Sequence, residues 1–393
     1  MNAAGVLNAE RAGGYNHRAL LYNTMDELMD ALVQFVDEGR AGDEHVLVVV
    51  SREKGEMLLD RLGSSAGFEL LDAADVYTSP TRTLAAYIGG VRESTSGGRR
   101  MRVAGEPIWA GHDATVVAEW ACVEAACNIA FAGSPLTMLC PYDMSVLDPG
   151  IIATCRHTHP NIQHGERTSP SEHFDDPRQF RIRVQSMGLP SAAGVVESVT
   201  VNGLSDLSDV HSRVEDMARR DIMRPDRVSD LLRAIDDVFA TVFVDSTGSA
   251  TLRYWVERQR VICEVAGAWT TAPFAGFIQY VDNDDDGPGL WPSGQLADLI
   301  VVRELDGVTV VRLEVLLEPD HVIPTCGEYA EFLGVFALGA CVPSEVVMIE
   351  GHLAECAACT AEVVEHRAVV AMLDIVFGTA DLIGLPADSD PDR

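Results

Sequence analysis

The run His45-Val-Leu-Val-Val-Val-Ser51 constrains this chain more than any other feature. It has the length of one strand and is apolar almost throughout, with no polar alternation. Such a strand must be covered on both faces, which in practice means helices packed on both sides of a parallel sheet. The flanking sequence has the matching rhythm. Strands are expected at 19–22, 68–78, 101–104 and 136–140, with helices at 24–39, 52–62, 82–94 and 114–130 between them. The alternation predicts an α/β parallel-sheet domain over residues 15–181. In such sheets ligands bind beyond the carboxyl ends of the strands. Those ends carry Gly105-Glu-Pro-Ile-Trp109 and Cys140-Pro-Tyr-Asp143.

The pattern then changes twice. Residues 160–181 read as a polar linker with three prolines. Residues 194–317 follow an α+β order, with helices at 207–220 and 227–243, strands at 250–256 and 261–265, a helix at 292–299 and a strand at 308–315. Residues 326–380 read as a small all-α domain. Tyr329, Phe332, Leu333 and Phe336 fall on one helical face, and Val346, Ile349 and Leu353 on the face of a second helix that Pro343 opens. A third helix is expected to run from 360 to 377 and stop at Gly378.

Charge and composition exclude several function classes. The 60 acidic and 29 basic residues give a net charge of −31. A surface of that sign repels nucleic-acid phosphates and anionic lipid, so neither direct nucleic-acid nor membrane-surface binding is expected. It steers instead toward a partner with a basic face. No apolar run is long enough to span a bilayer, and residues 1–18 lack the apolar core of a signal peptide. The expected setting is cytoplasmic, where the nine cysteines serve as thiols or metal ligands rather than as a disulfide framework.

The sharpest chemical pattern is His352-x3-Cys356-x2-Cys359. Residues three, four and seven apart share one side of a helix, so these three side chains converge. Imidazole and thiolate suit a tetrahedral zinc ion, whose fourth ligand must come from another helix. Cys326 is the better candidate and Cys341 the fallback. The competing reading is that these are small buried residues of a helical bundle.

The stretch from Cys326-Gly-Glu-Tyr-Ala-Glu-Phe-Leu through His352-Leu-Ala-Glu-Cys-Ala-Ala-Cys359 to Arg367-Ala-Val-Val-Ala-Met-Leu resembles the zinc-binding anti-sigma domain. The resemblance implies zinc held by Cys326, His352, Cys356 and Cys359, and a sigma factor as partner. It also implies, for some members, release on thiol oxidation. Val342 departs from the capping Asp or Ser expected before Pro343.

The middle block is similar to the ATPase domain of anti-sigma serine kinases, which shares its fold with histidine kinases and gyrase. The similarity rests on Ala234-Ile-Asp-Asp-Val-Phe-Ala-Thr241, Leu252-Arg-Tyr-Trp255, Cys263-Glu-Val265, Gly287-Pro-Gly289-Leu-Trp291 and Gln295-Leu-Ala-Asp298. The positions that would serve nucleotide depart from that family. Thr241 stands where the metal-binding Asn would be and Asp237 where a Glu acting as a base would be. Gly267 and Trp269 stand where Asp-x-Gly would meet adenine, and residues 282–286 add negative charge. ATP binding is therefore not expected, and the block reads as a degenerate nucleotide site (Asp237, Thr241, Gly267, Gly287, Gly289) kept as scaffold.

The first block resembles the MEDS sensory domain. The resemblance is carried by His17-Arg-Ala-Leu-Leu-Tyr22, Gly105-Glu-Pro-Ile-Trp109, Glu119 with Glu124, and Phe131-Ala-Gly to Leu139-Cys-Pro-Tyr-Asp143. It implies sensing of a small organic molecule. From the residues themselves, His17, Glu106, Glu124, Cys140 and Tyr142 are the candidate ligand contacts, with buried backbone satisfaction as the competing role. The residues Cys155, His157 and His159 read as a solvated helix end, and Cys122 with Cys127 as core.

The combined expectation is a non-enzymatic sensor and anti-sigma regulator. It would hold zinc, respond to a small-molecule or redox signal, and sequester a sigma factor. An active serine kinase acting on an anti-anti-sigma protein is the alternative. A metal-dependent enzyme using Glu106 and His17 is a further one.

Overall fold

The computed structural model describes residues 14–109, 111–192, 195–220, 223–245, 248–257, 259–279 and 289–317, together with 333, 336, 337, 349, 352, 353, 356, 359–364, 366 and 367. The chain divides into two compact units, Met1–Leu317 and Glu318–Arg393.

The first unit begins with β1 (Asn16–Tyr22), α1 (Met25–Ala41), β2 (His45–Val50), α2 (Arg52–Leu62), β3 (Glu69–Asp72), α3 (Ala73–Val76), α4 (Pro80–Ser96), β4 (Met101–Gly105), α5 (Ala114–Ala130), β5 (Leu136–Asp143) and α6 (Pro149–Thr158). It continues with β6 (Asn161–His164), β7 (Arg167–Pro170) and α7 (Pro177–Gln185). These build one seven-stranded sheet in the order β3-β2-β4-β5-β1-β6-β7. Every pairing is parallel except β6 with β7. The sheet is therefore mixed rather than wholly parallel. The expected linker at 160–181 does not exist as such: it holds β6, which lies between β1 and β7, the edge strand β7, and the start of α7. Polar Asn161 and Gln163, both buried, disguised β6, and β7 is exposed along its whole length, as an edge strand can be.

β2 is buried along five of its six residues, as its apolar run requires. Leu20, Tyr22, Val46, Val48 and Val50 face α1, while Ala19, Leu21, Leu47, Val49 and Cys140 face α5. Thr24 caps α1 by accepting from the Glu27 amide, and Asp113 caps α5 by accepting from Thr115 and Val116.

The second sheet contains β8 (Glu197–Val201), β9 (Ala250–Glu257), β10 (Arg260–Gly267), β11 (Leu299–Leu305) and β12 (Val308–Leu316), in the order β11-β12-β10-β9-β8. All its pairings are antiparallel. Helices α8 (Leu207–Arg220) and α9 (Pro225–Asp245) precede β9, and the short α10 (Trp291–Leu296) precedes β11. Residues α8 and α9 supply, such as Val210, Val214, Ile235 and Phe239, join β9, β10 and β12 in one core. β11 and β8 were not anticipated. β11 is tied to β12 by Asp306-Gly307, both at positive φ (52° and 78°), the backbone of a two-residue hairpin turn.

The two sheets share material within this unit. On β11, Ile300 and Val302 point into the core of the second sheet, while Leu299 and Val301 point into the core around α5. α5 is buried from Val116 to Cys127 on nearly every side because it is covered by both layers. In the second unit, the described residues Leu333, Phe336, Ile349, Cys359 and Val363 form a small core, with Leu353 and Cys356 packed on it. Most of these residues are helical, as the sequence pattern requires.

Candidate functional site

α5 carries two buried carboxylates five positions apart, which sets them about 140° apart around the helix. They serve opposite sides. Glu119 pairs with Arg181 of α7 at 2.8 Å and with Arg303 of β11 at 2.7 Å. All three side chains are at most 1% exposed, so this triad ties the second sheet to α5 and α7. Glu124 faces the first sheet instead.

There, His17 from β1, Glu124 from α5, Cys140 from β5 and His159 after α6 converge, with their donor atoms all within 4.8 Å of one another. His17 Nε2 lies 3.2 Å and His159 Nε2 3.4 Å from Glu124 Oε2. Cys140 Sγ lies 3.5 Å from both His17 Nε2 and Glu124 Oε2. All four residues are buried. Parallel pairing of β1 with β5 sets Ala19 opposite Cys140, so His17 and Cys140 project from neighbouring strands on one face.

The outer nitrogens of both imidazoles are fixed. Asn128 donates its amide to the carbonyls of Thr158 (2.8 Å) and Glu124 (3.1 Å), so its Oδ1 accepts from His17 Nδ1 at 3.1 Å. His159 Nδ1 donates to the Cys155 carbonyl at 2.9 Å. Tyr142 stands edge-on to His159, and Trp109 stacks on Tyr142. Burial, and then the neighbouring His159, lower the His17 imidazole below its ordinary value. Burial pushes the Cys140 thiol well up, with the Glu124 charge adding to it. Burial also works to raise the Glu124 carboxyl, but the two imidazoles outweigh it and hold the group below the usual carboxylate range.

The structure thus brings together His17, Glu124, Cys140 and Tyr142 of the sequence candidates, and separates Glu106 from them. Glu106 follows β4 and belongs to a second cluster, in which Lys54 meets both its oxygens at 2.7 Å and the Tyr22 hydroxyl donates to it at 2.7 Å. A single site using Glu106 and His17 together is therefore not formed. His159 was misjudged. It is fully buried rather than at a solvated helix end. Its partner His17 lies far away in sequence, and spacing could not reveal the pair.

Beside this quartet lies an apolar cleft of about 870 Å³ between α5, α6 and α7. Trp109, Val117, Ala118, Ala121, Phe180 and Val184 are among its walls, and His112, Asp148, Thr154, His157 and Arg183 are its polar lining residues. Trp109 thus touches both the cleft and, through Tyr142, the quartet.

In the middle block, the Thr241 hydroxyl donates to the Asp237 carbonyl at 2.9 Å. Burial raises the Asp237 carboxyl, which is half-buried. A Cβ on Gly267 would meet the Trp269 ring at 2.6 Å, so that ring lies directly over the glycine. Gly289 has φ 55°. Gly287 and the acidic run 282–286 lie outside the described residues.

In the second unit, His352, Cys356 and Cys359 also bring their donor atoms within 4.8 Å of one another. One imidazole and two thiols at that separation fit three corners of a zinc site. Cys326 and Cys341, the candidates for the fourth corner, lie outside the described residues. Both clusters have donor sets that can hold a metal ion. Among the described residues, no helix is long and apolar enough to cross a membrane.

Comparison with known proteins assigns part of the chain. Residues 16–160 match the family model of MEDS, the MEthanogen/methylotroph, DcmR Sensory domain, and constitute a MEDS domain. No curated protein matches the chain.

Proposed function

We propose that this chain is a signal-responsive regulator: its MEDS domain receives a small organic molecule, and its C-terminal helical unit withholds a sigma factor from RNA polymerase. The observation that carries the regulatory half is the convergence of His352, Cys356 and Cys359 beside a small helical core. Zinc held there, with Cys326 as fourth ligand, would fix the helices that grip the partner. The charge of −31 favours encounter with the basic, DNA-facing helices of a sigma factor. For the sensory half, the cleft beside α5 has the size and apolar lining of a small-molecule site. Trp109 would contact the ligand, with His157 and Arg183 orienting any polar end.

The kinase alternative is the weaker reading. Thr241 spends its hydroxyl on its own helix, and Trp269 covers Gly267. Affinity capture of the full-length chain from its host, with bound proteins identified by mass spectrometry, tests the proposal. A sigma factor recovered with the parent and lost with Cys356→Ser/Cys359→Ser supports it. Capture without any sigma factor counts against it.

A further inference from the structure

We infer that the buried quartet His17, Glu124, Cys140 and His159 is a closed tetrahedral metal site inside the MEDS domain, built for zinc. Three observations carry this, and none depends on the C-terminal unit.

The first is hydrogen-bond direction. Asn128 and the Cys155 carbonyl each accept the Nδ1 proton of one imidazole, so both Nε2 atoms turn a lone pair inward. Glu124 adds a carboxylate oxygen and Cys140 a sulfur. Four potential metal-ligand atoms thus face one buried point, where the Cys140 thiol, directed at Glu124 Oε2, carries the proton that a metal would displace. The second is an orphaned atom. His159 Nε2 is buried and makes no hydrogen bond, although Glu124 Oε2 lies 3.4 Å away. A native interior seldom leaves such an atom without a partner, and a cation supplies one.

The third is metric. Zinc bonds of about 2.0–2.1 Å to nitrogen and oxygen and about 2.3 Å to sulfur, set at tetrahedral angles, place N and O about 3.3 Å apart and sulfur about 3.5 Å from either. Four of the six corresponding separations are 3.2, 3.4, 3.5 and 3.5 Å, and the two between His159 Nε2 and the His17 and Cys140 atoms are within 4.8 Å. Nitrogen, oxygen and sulfur in this geometry select zinc over the hard cations magnesium and calcium, which want oxygen alone. With four protein ligands the site is closed, which suits a structural or signal-gated ion rather than a catalytic one. Binding displaces the Cys140 thiol proton to solvent, leaving a zinc-bound thiolate. The outer imidazole partners are the arrangement by which proteins orient metal-ligating histidines. The edge-on contact of Tyr142 with His159 then connects the metal to Trp109 and the apolar cleft.

The test is metal content and cobalt spectroscopy on the full chain carrying Cys356→Ser/Cys359→Ser, which leaves the quartet intact. The expected result is one zinc per chain. After exchange to cobalt, strong visible bands of a tetrahedral ion and one thiolate-to-metal charge-transfer band should appear. Adding Cys140→Ser should remove the charge-transfer band. Asn128→Ala, which touches no ligand position, should weaken binding about 10- to 100-fold. Absence of zinc and of a cobalt spectrum from the folded double variant would overturn the inference. So would zinc binding that His159→Gln leaves undiminished. If instead the C-terminal zinc reading is the one at fault, the parent still holds one zinc, lost with His159→Gln and kept with Cys356→Ser.

Discussion

Replacing Glu119 by Gln keeps the volume of the side chain and removes one charge from a buried triad. Arg181 and Arg303 are at most 1% exposed and share this carboxylate as their anion. Several of their remaining nitrogens, Arg181 Nε and Nη2 and Arg303 Nε, have no hydrogen-bond partner. The variant therefore strands two cations in the interior. Breaking a buried ion pair from one side costs about 3–5 kcal/mol. The compact unit ends at Leu317. At about 2.1 cal/mol/K of unfolding entropy per residue, a unit of this size should melt about 4–8 °C lower. Circular dichroism and calorimetry on the full chain measure the shift. The companion variant Glu119→Leu/Arg181→Met/Arg303→Met removes every charge, and should recover most of the loss because packed apolar groups replace buried ion pairs at little cost. A Glu119→Gln chain that melts with the parent would refute the reasoning. So would a charge-free triple variant less stable than the single one.

Other outcomes follow from the same structure. Burial pushes the thiols of Cys122 up to about 11 and of Cys155 and Cys263 up to about 12. At pH 8 the thiolate fraction of each is then about one in a thousand or less, so iodoacetamide should label none of the three in the native chain and all in urea, as read by peptide mass spectrometry. Gly307 holds φ 78° in the β11–β12 turn, and Gly307→Ala should cost about 1–2 kcal/mol in urea unfolding, because a Cβ is strained in that region. Thr154 lines the apolar cleft, so Thr154→Trp should obstruct part of it and reduce the fluorescence gain of an apolar dye, with the melting profile of the parent retained.

How much of this was legible in the sequence depended on how local the signal was. α5 was anticipated at its observed bounds, because Asp113 caps it and an unbroken apolar run follows. α8 was equally plain. β11 was not. Its residues Leu-Ile-Val-Val-Arg-Glu-Leu suit a strand, but the helix expected at 292–299 takes in Leu299, residues 300–307 receive no element, and the Asp306-Gly307 turn signal goes unused. β6 and β7 hid behind their polar residues, buried in β6 and exposed in the edge strand β7. For the site, His17, Glu124 and Cys140 stood out by type and by their place near strands. His159 did not, since only the parallel packing of β1 with β5 and β6 brings it beside His17. The partners of Glu119 lie 62 and 184 residues away, and a charged residue in an apolar helix announces that it needs a partner without saying which.

The regulatory reading meets its most direct test in a binding titration. The zinc-loaded full-length chain is titrated by calorimetry with each purified sigma factor of its host, and the titration is repeated with His352→Ala/Cys356→Ser. Saturable binding to one sigma factor, lost in the variant, is the predicted result. No heat of binding with any of them, from a folded and zinc-loaded chain, would contradict it.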